Sequence, residues 1–207
     1  MKGITYVELL IVLGLILVII GIVTSVIKVQ DYFKTIRDIQ RLQDLNLLNS
    51  ALNFYFQNAV SIDPDGPNLQ NKGIDESSST IFVSVPREND QFQTYYSTNS
   101  KTYYIYQSNK NDYQKINGFG WIPINFSEVN FSGLSFLPVD PINRLQPGLY
   151  YLYAFQRNPP QYEISAGFES TEFKQGGAKD IVSNDGGNDN NRLELGTNLN
   201  LIPSITF

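Results

Sequence analysis

The feature that most limits what this chain can fold into is an apolar run near its start, directly preceded by a glutamate. Every residue from Leu9 to Val23 is apolar, and Glu8 stands immediately before them. As a helix, residues 4–27 would span roughly 36 Å, enough to cross a hydrocarbon core of about 30 Å. The run predicts a membrane-spanning helix. A cleaved secretory signal is disfavoured, because the run is long and no A-x-A-like site follows it.

The carboxylate of Glu8 is the unusual element of this helix. A charged side chain at the centre of a bilayer costs on the order of 2–3 kcal/mol, and less near an interface. Glu8 therefore requires a partner or a protonated state. Cleavage after Gly3 would free the amine of Ile4, and between packed chains that cation would neutralise the Glu8 of a neighbour. Such a pair would fix the axial register, because a slipped helix would leave a charge unpaired in apolar surroundings.

This N-terminal pattern resembles the class III signal of bacterial type IV pilins and type II secretion pseudopilins. The matching residues are Gly3, Ile4 and Glu8, with Thr5 between them. The resemblance implies that a prepilin peptidase cleaves between Gly3 and Ile4, that Ile4 is N-methylated, and that Glu8 and Thr5 serve subunit assembly. It also implies a single-pass precursor in the cytoplasmic (inner) membrane. That precursor would join itself or other pilins in an extracellular pilus or a periplasm-spanning pseudopilus.

The charges on the two sides of the apolar run are poorly balanced for this orientation. Lys2 precedes the run, whereas Lys28, Lys34 and Arg37 follow it. Because basic residues are normally enriched on the cytoplasmic side, we expect the translation start to lie upstream of Met1 and to supply further basic residues.

The segment after the apolar run predicts an amphipathic helix that continues into a head. Residues 28–60 contain no Gly or Pro, and apolar residues recur there every three or four positions. We interpret the charged residues of the opposite side as a solvated or subunit-facing surface, and the stretch from Ser61 to Pro67 ends the helix. The apolar positions are Val29, Phe33, Ile36, Ile39, Leu42, Leu45, Leu48, Leu52 and Tyr55, and the charged positions are Lys34, Arg37, Asp38, Arg41 and Asp44.

The rest of the chain predicts a β-rich head. Stretches rich in aromatic and β-branched residues, separated by polar turns, are typical of short strands. We therefore expect an α+β fold, in which a long N-terminal helix, half membrane-spanning and half amphipathic, packs on a small antiparallel β-sheet, as in pilins. The expected parts are a leader peptide (1–3), a transmembrane or filament-core helix (4–27), an amphipathic helix (28–60) and a globular head (61–207). The predicted strands are TIFVSVP, FQTYYST, KTYYIYQS, GLYYLYAFQ and QYEISAGFES.

One turn of the head is similar to the L-P-x-D-P turn of type II secretion major pseudopilins. It runs from Leu137 to Pro141 and is followed by Asn143. Asp140, Pro141 and Asn143 predict a stiff turn that sets where the following strand begins. A rigid turn without a ligand is the favoured interpretation.

A second candidate site lies in the Asn/Asp/Gly-rich stretch near the C-terminus. The pseudopilin resemblance suggests calcium bound by loops in this region, and Asp180, Asp185 and Asp189 supply hard oxygen ligands. Their spacing is not that of an EF-hand loop, and such clusters are mostly plain turns. Calcium is therefore an open alternative to a turn without a metal.

Composition limits the remaining functions. The chain has no Cys and no His, which excludes disulfides, thiol nucleophiles, histidine catalysis and zinc sites built on those residues. Residues 61–207 carry 10 Lys/Arg and 16 Asp/Glu, and this acidic balance disfavours nucleic acid as a partner. No hydrolase, phosphate-loop or dinucleotide motif is present, so no enzymatic activity is expected.

Two functions from different classes remain. The first is a structural subunit, a pilin or pseudopilin, processed after Gly3 and assembled through its N-terminal helix. The alternative is an uncleaved membrane-anchored module whose tyrosine-rich head recognises a glycan or another surface ligand. Tyrosines that simply pack one face of a sheet are the favoured explanation of the aromatic runs Tyr103–Tyr106 and Tyr150–Phe155.

Overall fold

The structure, a computed structural model, describes residues 5–26, 29–66, 80–86, 93–98, 101–108, 110–129, 133–145 and 147–203. It has an α+β fold, in which two N-terminal helices are followed by a six-stranded sheet. The helices are α1 (Tyr6–Val26) and α2 (Val29–Asn58), and a short 3₁₀ helix covers Phe126–Val129. The strands are β1 (Thr80–Pro86), β2 (Gln93–Thr98), β3 (Lys101–Ser108), β4 (Tyr151–Gln156), β5 (Gln161–Gly167) and β6 (Arg192–Gly196).

The two helices occupy the segments in which the sequence predicts helix. Residues 27 and 28 lie outside the described ranges, so the continuity of one helix across them stays a prediction. The C-terminal end of α2 is fixed by Tyr55, whose hydroxyl donates to the carbonyl of Ser61 (3.4 Å) and accepts from the amide of Asp63 (2.8 Å). These bonds turn the chain back against the helix end, where Pro64 and Gly66 prevent further helix.

The sheet is mixed, with the strand order β2-β3-β1-β4-β5-β6. Strands β1 and β3 are parallel neighbours, with Val83 opposite Ile105, whereas all the other neighbouring pairs of the sheet are antiparallel. The expectation of an antiparallel sheet is therefore wrong at one position. The reason is topological: the chain passes from β1 to the edge strand β2 and returns as β3 between them, so β3 runs in the direction of β1.

All five predicted strands are confirmed, and one further strand was not predicted. The hairpin of β4 and β5 pairs Tyr151 with Ala166 and Gln156 with Gln161 across the turn at residues 157–160. The strand missing from the prediction is β6, which pairs antiparallel with β5 at the edge of the sheet. It is only five residues long and contains Arg192 and Glu194, so its alternation of apolar and polar residues is short.

Both faces of the sheet are buried at strands β1, β4 and β5. One face packs on the C-terminal half of α2, and the other is covered in part by the C-terminal residues Leu201 and Ile202. Alternate residues of a strand point to opposite faces, so Tyr151 and Tyr153 face α2 while Leu152 faces away from it. The glycine at position 167 is needed here, because a Cβ on it would lie 2.3 Å from the carbonyl oxygen of Gly148.

The face of α2 that packs on the sheet differs from the predicted apolar stripe. The buried positions of the helix are Asp38, Arg41, Leu45, Leu48, Ala51, Leu52 and Tyr55. Val29, Phe33, Ile36 and Ile39, which we assigned to the packing face, are instead 42–54% exposed. A three-residue step rotates by about 60° short of a full turn, so the repeated steps of three from Phe33 to Leu48 leave the face on which they began.

Candidate functional site

The first candidate site is helix α1 itself. From Tyr6 to Val23 its large apolar side chains are 47–74% exposed on every side of the helix, and none of them is buried against described parts of the chain. From Tyr6 to Thr24 the helix is long and apolar enough to cross a membrane. Moving one such side chain out of water is worth about 1.5–3 kcal/mol. Free energy therefore favours covering α1 with lipid or with other apolar helices.

Glu8 and Thr5 form a reciprocal cap at the beginning of α1. The Glu8 carboxylate accepts from the amide of Thr5 (2.8 Å) and from its hydroxyl (3.0 Å), and the Thr5 hydroxyl accepts from the amide of Glu8 (3.3 Å). This is the capping box Thr-x-x-Glu, a motif that sequence reasoning could have found and did not. Gly3 and Ile4, the predicted cleavage and methylation residues, lie outside the described ranges. Within one chain Glu8 thus has a partner, but that partner is neutral.

The second candidate site is a buried charge cluster on α2. The guanidinium of Arg41 binds Asp140 at two points, with Nε 2.6 Å from Oδ2 and Nη2 3.0 Å from Oδ1. Its Nη1 donates to Asp38 (2.8 Å) and to Glu169 (2.7 Å). Arg37 donates to both oxygens of Glu169, at 2.7 and 2.6 Å. The Arg41 and Asp38 side chains are fully buried, so interpreting them as a solvated or subunit-facing surface is wrong.

Asp38 binds the cluster to the segment that follows β5. Its carboxylate accepts from the amide of Glu169 at 2.9 and 3.1 Å and from the amide of Ser170 at 2.7 Å. A buried carboxylate is tolerated when several donors and a cation surround it, because they replace the lost water. Asp38 and Arg41 therefore extend the buried face of α2 by one turn with ionic contacts instead of apolar ones.

The pKa shifts in the cluster follow from these contacts. The hydrogen bond from Arg37, followed by the bond and charge of Arg41, lowers the pKa of Glu169 to about 2. Burial opposes the charged form of Arg41, but its bonds to Asp140, Glu169 and Asp38 outweigh burial and raise its pKa. Both groups are thus held in their ionised forms. Nearby, the hydroxyl of Tyr151 donates to Asp44 (2.7 Å), whose pKa burial raises.

The predicted turn at Asp140, Pro141 and Asn143 is present and is tied to α2. Asp140 Oδ1 accepts from the amides of Ile142 (2.8 Å) and Asn143 (3.1 Å), while both carboxylate oxygens bind Arg41. Asn143 has a φ of 47°, a left-handed conformation that asparagine adopts more readily than most residues. The stiffness of the turn stays a prediction, and through Asp140 the turn also anchors the amphipathic helix.

The three calcium candidates each have a role in a turn. Asp180 accepts from Ser183 and from the amide of Gly176, and Asp185 accepts from the amides of Gly187 and Glu194. Asp189 accepts from Asn191. Within the described ranges, no three acidic side chains are grouped so that they could hold a metal ion. The hydrogen bonds of these three aspartates are those expected of plain turns, and no described contact favours calcium.

A buried carboxyl pair lies on the sheet face that points away from α2. Glu163 on β5 accepts from the amides of Leu201 (3.0 Å) and Ile202 (3.3 Å), and Glu194 on β6 accepts from the amide of Asp189 (2.8 Å). Burial, together with the Glu194 carboxyl, raises the pKa of Glu163 to about 9. The pair was missed because Glu163 alternates with apolar residues, a pattern that normally places the polar residue in water.

Comparisons with protein-family models, with curated proteins and with solved structures find no match to this chain.

Proposed function

We propose that this chain is a structural subunit of a type IV pilus or of a related secretion or competence filament. In this proposal a prepilin peptidase removes residues 1–3, Ile4 becomes the methylated N-terminus, and α1 leaves the membrane to enter a filament core. The head, held on α2, forms the outer part of the filament. No catalytic activity is proposed.

The observation that carries the proposal is the bare surface of α1. An apolar helix exposed on every side satisfies the hydrophobic effect equally well in lipid and in a bundle of identical helices. Moving α1 from lipid into the bundle therefore costs little free energy. A subunit that is extracted from a membrane requires such a low cost. Glu8 would also fix the axial register of the helices in the bundle, because it would pair there with the Ile4 amine of a neighbouring chain.

The exposed stripe on α2 supports the same proposal. Val29, Phe33, Ile36 and Ile39 lie outside the face that packs on the sheet and are about half exposed. In a filament these side chains would be covered by the helices of adjacent subunits. A chain that remained alone in the bilayer would leave this surface in water or at the lipid interface.

The alternative, a tethered module with a tyrosine-rich binding surface, has less support. Tyr103, Tyr150, Tyr151, Tyr153 and Tyr162 are at most 3% exposed. Buried rings cannot stack on a ligand, and the hydroxyls of Tyr151 and Tyr153 bond inside the head. These tyrosines are core residues of the sheet.

Mass spectrometry of the N-terminal peptide from the membrane fraction and from sheared filaments tests the proposal. We expect a methylated peptide that begins at Ile4 in the filaments. A chain that keeps Gly3 and is found only as a monomer in the membrane would overturn the proposal. A Gly3→Ala variant, expected to remain uncleaved, is the control for processing.

A further inference from the structure

The first turns of α2 lie at a defined distance along the chain from Glu8. Because a helix rises by about 1.5 Å per residue, a hydrocarbon core of about 30 Å takes up about 20 residues. The Glu8 carboxylate costs least at the edge of this core. Counting residues 27 and 28 as helical, a core that begins after Glu8 ends close to Lys28. The headgroup layer beyond it is roughly 5–8 Å thick and corresponds to about four or five further residues, which are Val29 to Phe33.

The polar side chain of Thr24 does not interrupt the apolar span. Its hydroxyl donates to the carbonyl of Ile20 at 2.9 Å and to that of Gly21 at 3.1 Å. A hydroxyl that bonds back to its own helix is tolerated in hydrocarbon, because its donor already has an acceptor. The span can therefore continue past Thr24 towards Lys28.

The side chains expected at the level of the headgroups include two exposed aromatic rings. Tyr32 is 63% exposed and Phe33 is 54% exposed, and the two rings meet edge to face with centroids 6.1 Å apart. Aromatic rings are favoured at the boundary between a bilayer and water. Side chains on a helix lean towards its N-terminus, so both rings lean towards the end of α2 that adjoins α1. They thus point towards the expected position of the bilayer.

The spacing of the exposed tyrosines matches the full thickness of a bilayer. Tyr6, at the beginning of α1, is 74% exposed and lies 26 positions before Tyr32. As a helix, 26 residues span about 39 Å, close to the roughly 40–45 Å of a bilayer with its headgroups. Between the two rings and the head, Lys34 Nζ lies 3.2 Å from Asp31 Oδ1, so Asp31 carries its own counter-ion into the polar layer.

We propose that the first turns of α2 lie in the headgroup layer of a phospholipid bilayer while α1 spans it. Tyr32 and Phe33 then contact lipid, whereas Ile36 and Ile39 lie further out, in water. The exposed apolar stripe of α2 is thus divided into a part that lipid covers and a part that lipid does not reach. This inference rests on the membrane span of α1 and needs neither cleavage nor filament assembly.

The test measures the depth of single added tryptophans in the full chain. The chain is reconstituted in vesicles of phosphatidylethanolamine and phosphatidylglycerol that contain lipids with a nitroxide quencher, either on the headgroup or near the end of the acyl chain. Tyr32→Trp and Ile39→Trp are a matched pair, because seven residues place them on the same side of the helix and about 10 Å apart along its axis. The wild type, whose single Trp121 is buried in the head, supplies the background.

The two variants should respond differently to the two quenchers. Tyr32→Trp should lose most of its added emission to the headgroup quencher and less to the quencher near the end of the acyl chain. Ile39→Trp should lose little to either. Ile19→Trp, in the middle of the span, is the control for insertion and should respond most to the quencher near the end of the acyl chain. An unchanged melting temperature checks that the head of each variant is folded.

Three results would overturn the inference. The first is weak quenching of Tyr32→Trp by both lipids, which includes burial of this side chain against a second copy of the chain. The second is equal quenching of Tyr32→Trp and Ile39→Trp, because α2 would then lie along the membrane surface. The third is an unquenched Ile19→Trp, which would reject the membrane span as well. Either of the first two results with a quenched Ile19→Trp rejects this inference alone and leaves the proposed filament function standing.

Discussion

Arg41 and Asp140 form a two-point ion pair in which neither side chain has any exposed surface, with Nε–Oδ2 and Nη2–Oδ1 distances of 2.6 and 3.0 Å. The pair joins α2 to the turn that precedes β4. Because the same guanidinium also binds Asp38 and Glu169, Arg41 is the cation at the centre of three carboxylates. Arg41 thus links α2 to two separate segments of the head, in addition to the apolar packing of the helix on the sheet.

Replacing Arg41 with methionine should therefore be strongly destabilising. The expected loss in the free energy of unfolding is about 3–5 kcal/mol, since three carboxylates would lose their shared cation. Urea unfolding in detergent micelles can be followed by the fluorescence of Trp121, the single tryptophan, whose indole N–H donates to the carbonyl of Pro138. Lys34→Met, in a partly exposed pair with Asp31, should cost less than about 1 kcal/mol. Equal losses in both variants would contradict the central role of Arg41.

The low pKa of Glu169 predicts acid sensitivity. Arg37 and Arg41 lower that pKa from 4.5 to about 2, so ionised Glu169 stabilises the fold above pH 4.5. This stabilisation should fall progressively between about pH 4.5 and pH 2. Glu169→Gln should be less stable than the wild type at pH 6 and should depend less on pH across that interval. Glu172→Gln, at a surface pair with Lys179, is the control and should retain the wild-type slope.

The carboxyl pair predicts the opposite dependence at higher pH. Burial and the neighbouring Glu194 raise the pKa of Glu163 from 4.5 to about 9, so the unfolded chain releases this proton at a lower pH than the folded chain. Stability should therefore decrease as the pH rises from about 4.5 towards 9. Glu163→Gln keeps an acceptor for the amides of Leu201 and Ile202 and should flatten this decrease. Stability curves at pH 5 and pH 8 measure it, and an unchanged slope would refute the raised pKa of Glu163.

The two roles of Glu8 can be separated by substitution. Glu8→Gln keeps an oxygen that can cap α1 but removes the charge, whereas Thr5→Ala weakens the cap and keeps the charge. If pairing with a neighbouring amine drives assembly, Glu8→Gln should insert into the membrane normally but yield few filaments. Thr5→Ala should assemble more nearly as the wild type does. Electron microscopy of sheared material and membrane fractionation provide the measurements; abundant Glu8→Gln filaments would rule out charge pairing.

Much of the secondary structure could be predicted, because it is encoded locally. Strands β1 and β3 to β5 contain β-branched and aromatic residues between polar turns, and α1 follows from an apolar run without proline. The parallel pairing of β1 with β3 could not be predicted in the same way. It depends on where the chain places the edge strand β2, and no local pattern specifies that choice.

The burial of charge was the main failure of sequence reasoning. Arg41 and Asp38 look like surface residues on a helix, and their burial depends on partners far along the chain. Asp140 lies 99 positions from Arg41, and Glu169 lies 128 positions away. By contrast, the capping box of Thr5 and Glu8 spans only four residues, so the local sequence was sufficient to predict it.

The interleaving of charged and apolar residues on α2 has a practical consequence for making a soluble fragment. A cut before Val29 would leave the exposed apolar residues Phe33, Ile36 and Ile39 in the fragment. A cut after Ile39 would remove Arg37 and Asp38 from the buried charge cluster. The buried positions and the exposed apolar positions of α2 overlap along the length of the helix, so no single truncation point can separate them.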